Sequence, residues 1–130
     1  MRNRKFLIAG LGVGLLLTGA LLVWRSADRR SVRAREFEGK AGAKALCLAV
    51  SEYHQARGVW IQASPEPVSI PGLDGVEFRS TREFEQLGFA PGLVRFQYEV
   101  RAVEQGSECI ARGDPDGDGV VTEFKAIATK

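Results

Sequence analysis

The 130-residue sequence has one histidine and two cysteines, and this scarcity excludes several kinds of chemistry. The cysteines, Cys47 and Cys109, lie far apart in the sequence, so that a zinc site built on them and a single histidine is excluded. His54 lies beside Glu52 and Tyr53 with no nucleophile near it in sequence. Because no nucleophile–base or acid–base pair can be assembled, we expect a protein that is not an enzyme. The length also excludes a large two-domain enzyme.

Charge is absent from residues 6–24, which read FLIAGLGVGLLLTGALLVW. Three basic residues precede this run, and residues 25–40 carry six bases and three acids. Residues 41–130 carry nine bases and thirteen acids, so the net charge of +2 comes from the N-terminal part. Because this basic excess is small and local, the sequence predicts no binding to nucleic acid. Bases beside an apolar segment are instead attracted to anionic lipid headgroups.

The apolar run has the length of a membrane span. A 19-residue helix is about 28 Å long, close to the hydrocarbon thickness of about 30 Å. Trp24 ends the run, where an aromatic ring favours the membrane interface. We therefore predict that residues 1–24 form a basic tip and a single-pass transmembrane anchor. A cleaved signal peptide is the alternative, with Thr18-Gly19-Ala20 as its cleavage site, although the mature chain would then begin on an apolar stub.

Two features of the sequence disagree about topology. Lysine and arginine tend to stay cytoplasmic, and six of them follow the span while three precede it, which favours a cytoplasmic domain. Two cysteines favour an oxidising compartment, where they could pair.

Residues 25–57 contain no proline and are rich in helix formers, so we predict an amphipathic helix that continues the anchor and ends at Gly58. At 100° per residue, an apolar stripe centred on Leu46 forms one face and predicts the contact with the rest of the domain. A smaller apolar line on the opposite side consists of Phe37, Ala41 and Leu48. We interpret this line either as an interface for a second partner or as scattered exposed apolar residues.

Residues 58–130 are predicted to form a loop and an antiparallel sheet. Prolines and an Asp74-Gly75 pair indicate a loop over residues 59–79, with room for a short strand at Val76–Arg79. Ser80 and Glu83 have the spacing of a capping box, which predicts a short helix at Thr81–Leu87. Residues 95–128 alternate polar and apolar side chains in three runs joined by short turns. The predicted fold class is therefore α+β, a long helix packed on a small three- to four-stranded antiparallel sheet.

The two cysteines can be placed on this fold. Cys109 falls on the inward face of its strand, and Cys47 falls on the flank of the helix stripe. A disulfide between helix and sheet is feasible and would close a loop of about 60 residues. Two buried free thiols are the alternative.

A glycine-rich segment at residues 113–119 places three aspartates at alternate positions. Asp114, Asp116 and Asp118 match positions 1, 3 and 5 of a calcium-binding EF-hand loop, and Val120 would supply a backbone carbonyl at position 7. Position 12, normally a bidentate glutamate, is Lys125. The segment therefore predicts either weak calcium binding or a turn whose aspartates bond its own backbone. No cofactor is required, and calcium is the one ion that the sequence suggests.

Three segments together resemble the ends of type IV pilins and of the pseudopilins of type II secretion. They read FEQLGFAP (84–91), VRFQYEV (94–100) and CIARGDPDGDG (109–119), and the similarity covers roughly residues 37–128. The usual prepilin cleavage motif is missing, since no glycine precedes Phe6 and no glutamate occurs in the span. The resemblance implies a pilin-like domain on an uncut anchor in a bacterial inner membrane, with the domain in the periplasm or outside the cell.

We expect from this resemblance a structural subunit, minor or accessory, of a type IV pilus or a secretion pseudopilus. Its partners would be the membrane and other pilin or pseudopilin subunits. A stand-alone membrane-tethered domain and a calcium-responsive adaptor are the two alternatives.

Overall fold

The computed structural model describes residues 3–130, except for the side chains of residues 3–19, 21, 23, 26 and 27. It divides into two compact units, Met1–Arg33 and Ala34–Lys130. The architecture is α+β, with one long helix and a four-stranded antiparallel sheet. In chain order the elements are α1 (Asn3–Arg57), β1 (Ala63–Glu66), β2 (Val76–Glu77), α2 (Arg82–Leu87), β3 (Leu93–Val94), β4 (Phe96–Val103), β5 (Gly106–Gly113) and β6 (Thr122–Thr129).

A search of the described part of the chain finds no helix with the length and apolar character to cross a membrane. Most of the anchor predicted at residues 6–24 lies outside the described side chains.

Helix α1 ends where the sequence predicts. It contains no proline after residue 24, and Gly58 follows with a φ of +72°, a conformation that side chains with a Cβ disfavour. The Gly58 N–H donates to the His54 carbonyl at 2.7 Å, which completes the last turn.

The four-stranded sheet has the strand order β1-β4-β5-β6, with antiparallel neighbours throughout. Strands β4, β5 and β6 correspond to the three alternating runs of the sequence, and short turns between them produce a meander. Strand β1 lies within residues 59–79, which the sequence indicated as loop, so that expectation is wrong at Ala63–Glu66. In this strand Ala63 pairs with Val100, which is distant in sequence. The local sequence of β1 is rich in proline and gives no sign of that pairing.

The short helix α2 starts one residue later than predicted and without the predicted capping box. Thr81 occupies the N-cap position and makes no side-chain capping bond. The Ser80 hydroxyl instead donates to the Phe89 carbonyl at 3.2 Å. Strands β2 and β3 pair with each other beside this helix, as a separate two-stranded sheet.

The core of the second unit lies between one face of α1 and the inner face of the sheet. Leu46 and Val50 are fully buried there, against Phe96, Tyr98 and Val100 of β4. Glycine permits the close approach of the two layers. A Cβ at Gly39 would lie 2.6 Å from Phe96 Cε1, and a Cβ at Gly42 would lie 2.7 Å from Tyr98 Cε1. Both distances are shorter than any ordinary contact, so a side chain at either position would force the layers apart.

Candidate functional site

The outward face of α1 carries the apolar line that the sequence singled out. Phe37 is 70% exposed and Leu48 is 62% exposed, while Ala41 is half-buried. With Lys44 and Ala45, both exposed, these residues form a stripe that we name the helix back face. Its length from Phe37 to Leu48 is about 16 Å at the rise of an α-helix. Large apolar side chains that share one exposed stripe are typical of a protein–protein contact.

A covalent bond on the flank of the same helix, beside its buried face, fixes α1 to the sheet. Cys47 on α1 and Cys109 on β5 form a disulfide, with a Cα–Cα distance of 5.5 Å and a sequence separation of 62. Both cysteines are buried, and they are the only two in the chain. A cross-link over so long a loop stabilises mainly by restricting the unfolded chain.

Two polar contacts that the sequence did not predict hold α1, at residues 35 and 38, to the rest of the second unit. Glu38 accepts hydrogen bonds from the Arg95 backbone N–H at 3.2 Å and from the Arg95 guanidinium at 3.1 Å. Arg35 donates through Nε to the Pro115 carbonyl at 2.6 Å. Because 57 and 80 residues separate these partners, no local sequence pattern could have indicated either contact.

The aspartate segment forms a compact loop between β5 and β6. Carboxylate oxygens of Asp114, Asp116 and Asp118 lie within 4.8 Å of one another, so the structure brings together the three predicted ligands. The loop's backbone supplies donors to all three carboxylates. The Gly119 N–H donates to Asp114 at 2.8 Å, and the Val120 N–H donates to Asp118 at 2.7 Å. The Asp118 N–H donates to both other aspartates at 3.2 Å.

The pKa values of Asp114 and Asp116 are shifted in opposite directions. Desolvation raises the pKa of Asp114, but hydrogen bonds from Gly119, Asp116 and Asp118 outweigh it and lower that pKa below its ordinary value. The Asp118 N–H lowers the pKa of Asp116, but desolvation and the neighbouring carboxyl groups outweigh it and raise that pKa. On acidification, Asp116 is therefore protonated before Asp114.

The loop offers a hard cation three carboxylates and lacks the strand residue that would complete an EF-hand. Glu123 lies on β6, where it bonds Arg112 at 2.7 Å and Lys125 at 3.2 Å. These cations lower the pKa of Glu123, mainly through the hydrogen bond from Arg112. Glu123 is thus committed to the outer face of the sheet. Val120, the predicted carbonyl ligand, is exposed, and its N–H bonds Asp118.

His54 lies at the far end of α1 and takes part in an aromatic contact. Its ring stacks on Trp60 with centroids 3.8 Å apart. An open cleft of about 680 Å³ adjoins this pair and is lined also by Glu104 and Thr129. The pairing fixes the chain where it leaves the helix.

Comparisons of the chain with protein-family models, with curated proteins and with solved structures find no match. The function must therefore be argued from the geometry of the residues.

Proposed function

We propose that this protein is a membrane-anchored, pilin-like structural subunit, minor or accessory, of a type IV pilus or a type II secretion pseudopilus. The domain would lie in the periplasm or outside the cell, on an anchor in the bacterial inner membrane. The observation that carries the proposal is the two-faced helix segment 34–57. One face is fixed to an antiparallel sheet, and the helix back face exposes Phe37 and Leu48.

Assembly through the helix back face has a clear physical reason. Moving a large apolar side chain from water into a packed contact stabilises the contact by about 1.5–3 kcal/mol. Phe37 and Leu48 lie on one side of α1, so that a single neighbouring helix could cover both. Ala41 and Ala45 between them are small, which lets that helix approach closely.

The disulfide supports an extracytoplasmic location. Structural disulfides persist in oxidising compartments such as the periplasm and are rare in the cytosol. The Cys47–Cys109 bond lies in the core of the second unit, where it joins helix to sheet. This observation favours the periplasm over the cytoplasmic placement suggested by the count of basic residues.

The test of assembly is photo-crosslinking in cells. A photoreactive phenylalanine analogue at Leu48 should capture a neighbouring subunit, either a second copy or another pilin-like chain. The same analogue at Val68, which is 84% exposed and lies off the helix, is the matched control. We expect crosslinked products from position 48 in clear excess over position 68. Equal capture at both positions, or none at position 48, would contradict the proposal.

Topology has a separate test. Alkaline phosphatase fused after Lys130 folds only in an oxidising compartment, so we expect an active fusion. An inactive fusion that is nevertheless made at full length would place the domain in the cytoplasm and overturn the proposed location.

A calcium-responsive adaptor is the second candidate, because the loop gathers three carboxylates. The loop's own N–H groups already donate to each of these carboxylates, so we expect millimolar calcium to leave the amide NMR signals of Asp114–Asp118 unchanged. A saturable shift confined to these residues would favour the adaptor instead.

A further inference from the structure

The first unit carries four arginines within nine residues of α1, at positions 25, 29, 30 and 33. All four side chains are exposed. Within the described part of the chain, none of them forms an ion pair, although five such pairs occur in the second unit. The same nine residues contain one acid, Asp28, so four arginines and one aspartate give the cluster a net charge of +3 that no described ion pair neutralises.

Three of these arginines share one face of the helix. Arg25, Arg29 and Arg33 are four residues apart, which places them one above the other, and Leu22 falls on the same face. Together with Arg30 they line a shallow cleft of about 330 Å³. Like charges at this spacing destabilise a helix by a few tenths of a kcal/mol for each pair. An anion in the cleft would remove that repulsion.

The cluster adjoins exposed apolar side chains. Leu22 is 66% exposed and Trp24 is 68% exposed, directly before the first arginine. Residues 6–24 contain no charge at all. Apolar residues followed directly by exposed arginines match the two layers of an acidic phospholipid bilayer. The hydrocarbon core accommodates the apolar residues, and the anionic headgroups attract the arginines.

We propose that Arg25, Arg29 and Arg33 bind the phosphate groups of anionic phospholipids. This inference rests on the membrane anchor of the proposed function. For a helix along the membrane normal, Arg25 and Arg29 lie about 1.5 and 7.5 Å beyond Trp24, within a headgroup layer of about 5–8 Å. Arg33 lies about 13.5 Å beyond it and reaches that layer only through its long side chain. The contribution to lipid binding therefore decreases from Arg25 to Arg33.

The experiment uses the full chain in uncharged detergent micelles that contain either phosphatidylglycerol or phosphatidylcholine. NMR follows the arginine Nε–H signals as the lipid fraction rises. We expect saturable shifts of Arg25 and Arg29, and smaller ones of Arg33, with phosphatidylglycerol only. A base near an anionic surface contributes about fivefold to binding, so R25Q/R29Q should weaken it by roughly 30-fold.

The matched control is R79Q/R82Q, which removes two exposed charges from the second unit and should leave lipid binding unchanged. Equal shifts with phosphatidylcholine, or equal loss in the control, would overturn the proposal. So would equal shifts with inorganic phosphate alone, which indicate a free-anion site, or shifts that grow with protein concentration without lipid, which indicate a second copy. Crosslinking through Leu48 is measured separately, so that a failure here leaves the assembly proposal standing.

Discussion

The two faces of the helix segment 34–57 differ in composition and in what holds them. The inner face places Gly39, Gly42 and Leu46 against the rings of the sheet, and Cys47 is bonded to β5. The helix back face has no glycine, and its two large residues are exposed. In this helix, glycines lie where it packs on its own domain. Exposed Phe37 and Leu48 lie on the face that we propose for contact with another chain.

Among changes to the inner face, removal of the disulfide should reduce the stability of the protein most. Replacing both cysteines (C47A/C109A) removes a cross-link over 62 residues, and we expect a loss of about 4 kcal/mol in the free energy of unfolding. Urea unfolding followed by circular dichroism measures the loss. A reducing agent should destabilise the unaltered protein similarly and leave the double variant unaffected; a variant as stable as the parent would refute the assigned role.

A substitution at Gly42, where the helix approaches the sheet closely, should cause the next largest loss of stability. Gly42→Leu inserts a side chain against the Tyr98 ring, and we expect destabilisation of about 3 kcal/mol from overpacking. Ala45→Leu, on the helix back face, adds a similar volume where the chain is exposed and should change stability by less than about 0.5 kcal/mol. Similar losses from both substitutions would mean that the two faces are not distinct.

The sequence predicts the second unit well where structure is local. Alternation of polar and apolar residues predicted β4, β5 and β6, and the spacing of Leu46 and Val50 predicted the inner face. Strand β1 was missed because Pro65 indicates a loop, while its pairing with β4 depends on a segment 37 residues away at Val100. Glu38–Arg95 was missed for the same reason, since neither residue stands out locally.

The candidate sites follow the same rule. Close spacing in sequence was enough to bring Asp114, Asp116 and Asp118 together. The cap of α2 was misassigned because Ser80 has the capping-box spacing to Glu83, whereas in the folded chain the Ser80 hydroxyl donates to the Phe89 carbonyl and Thr81 takes the N-cap position.

Tyr98, which packs in the core against the inner face of α1, should ionise at a higher pH than an ordinary tyrosine. Burial, followed by the nearby charge of Glu38, raises its pKa from 10.0 to about 12. The unfolded chain ionises this tyrosine near pH 10, so its contribution to stability is complete below pH 10 and is lost as the pH rises from 10 to 12. Tyrosinate absorbance in a Tyr53→Phe background reports Tyr98 alone. A midpoint near 10 in the folded protein would show that the ring is not held in the core.

Substitutions on the helix back face should have the smallest effect on stability. Replacing Phe37 and Leu48 by serine (F37S/L48S) should change the free energy of unfolding of the isolated protein by less than about 1 kcal/mol, because both side chains are already exposed. The same variant should lose crosslinking to neighbours in cells when the photoreactive residue stands at Ala45. Full retention of that crosslink would show that the apolar side chains do not form the contact.

The most direct test of a two-faced helix compares one cysteine in two settings. In a Leu48→Cys variant, we expect maleimide to label residue 48 rapidly in the purified, isolated chain and at least tenfold more slowly in intact cells. Val68→Cys, on an exposed loop, should be labelled at comparable rates in both settings once reagent access is equal. The account predicts that residue 48 is labelled more slowly than residue 68 in cells but not in the purified protein. If the ratio of the two labelling rates is the same in cells and in the purified protein, the account is contradicted.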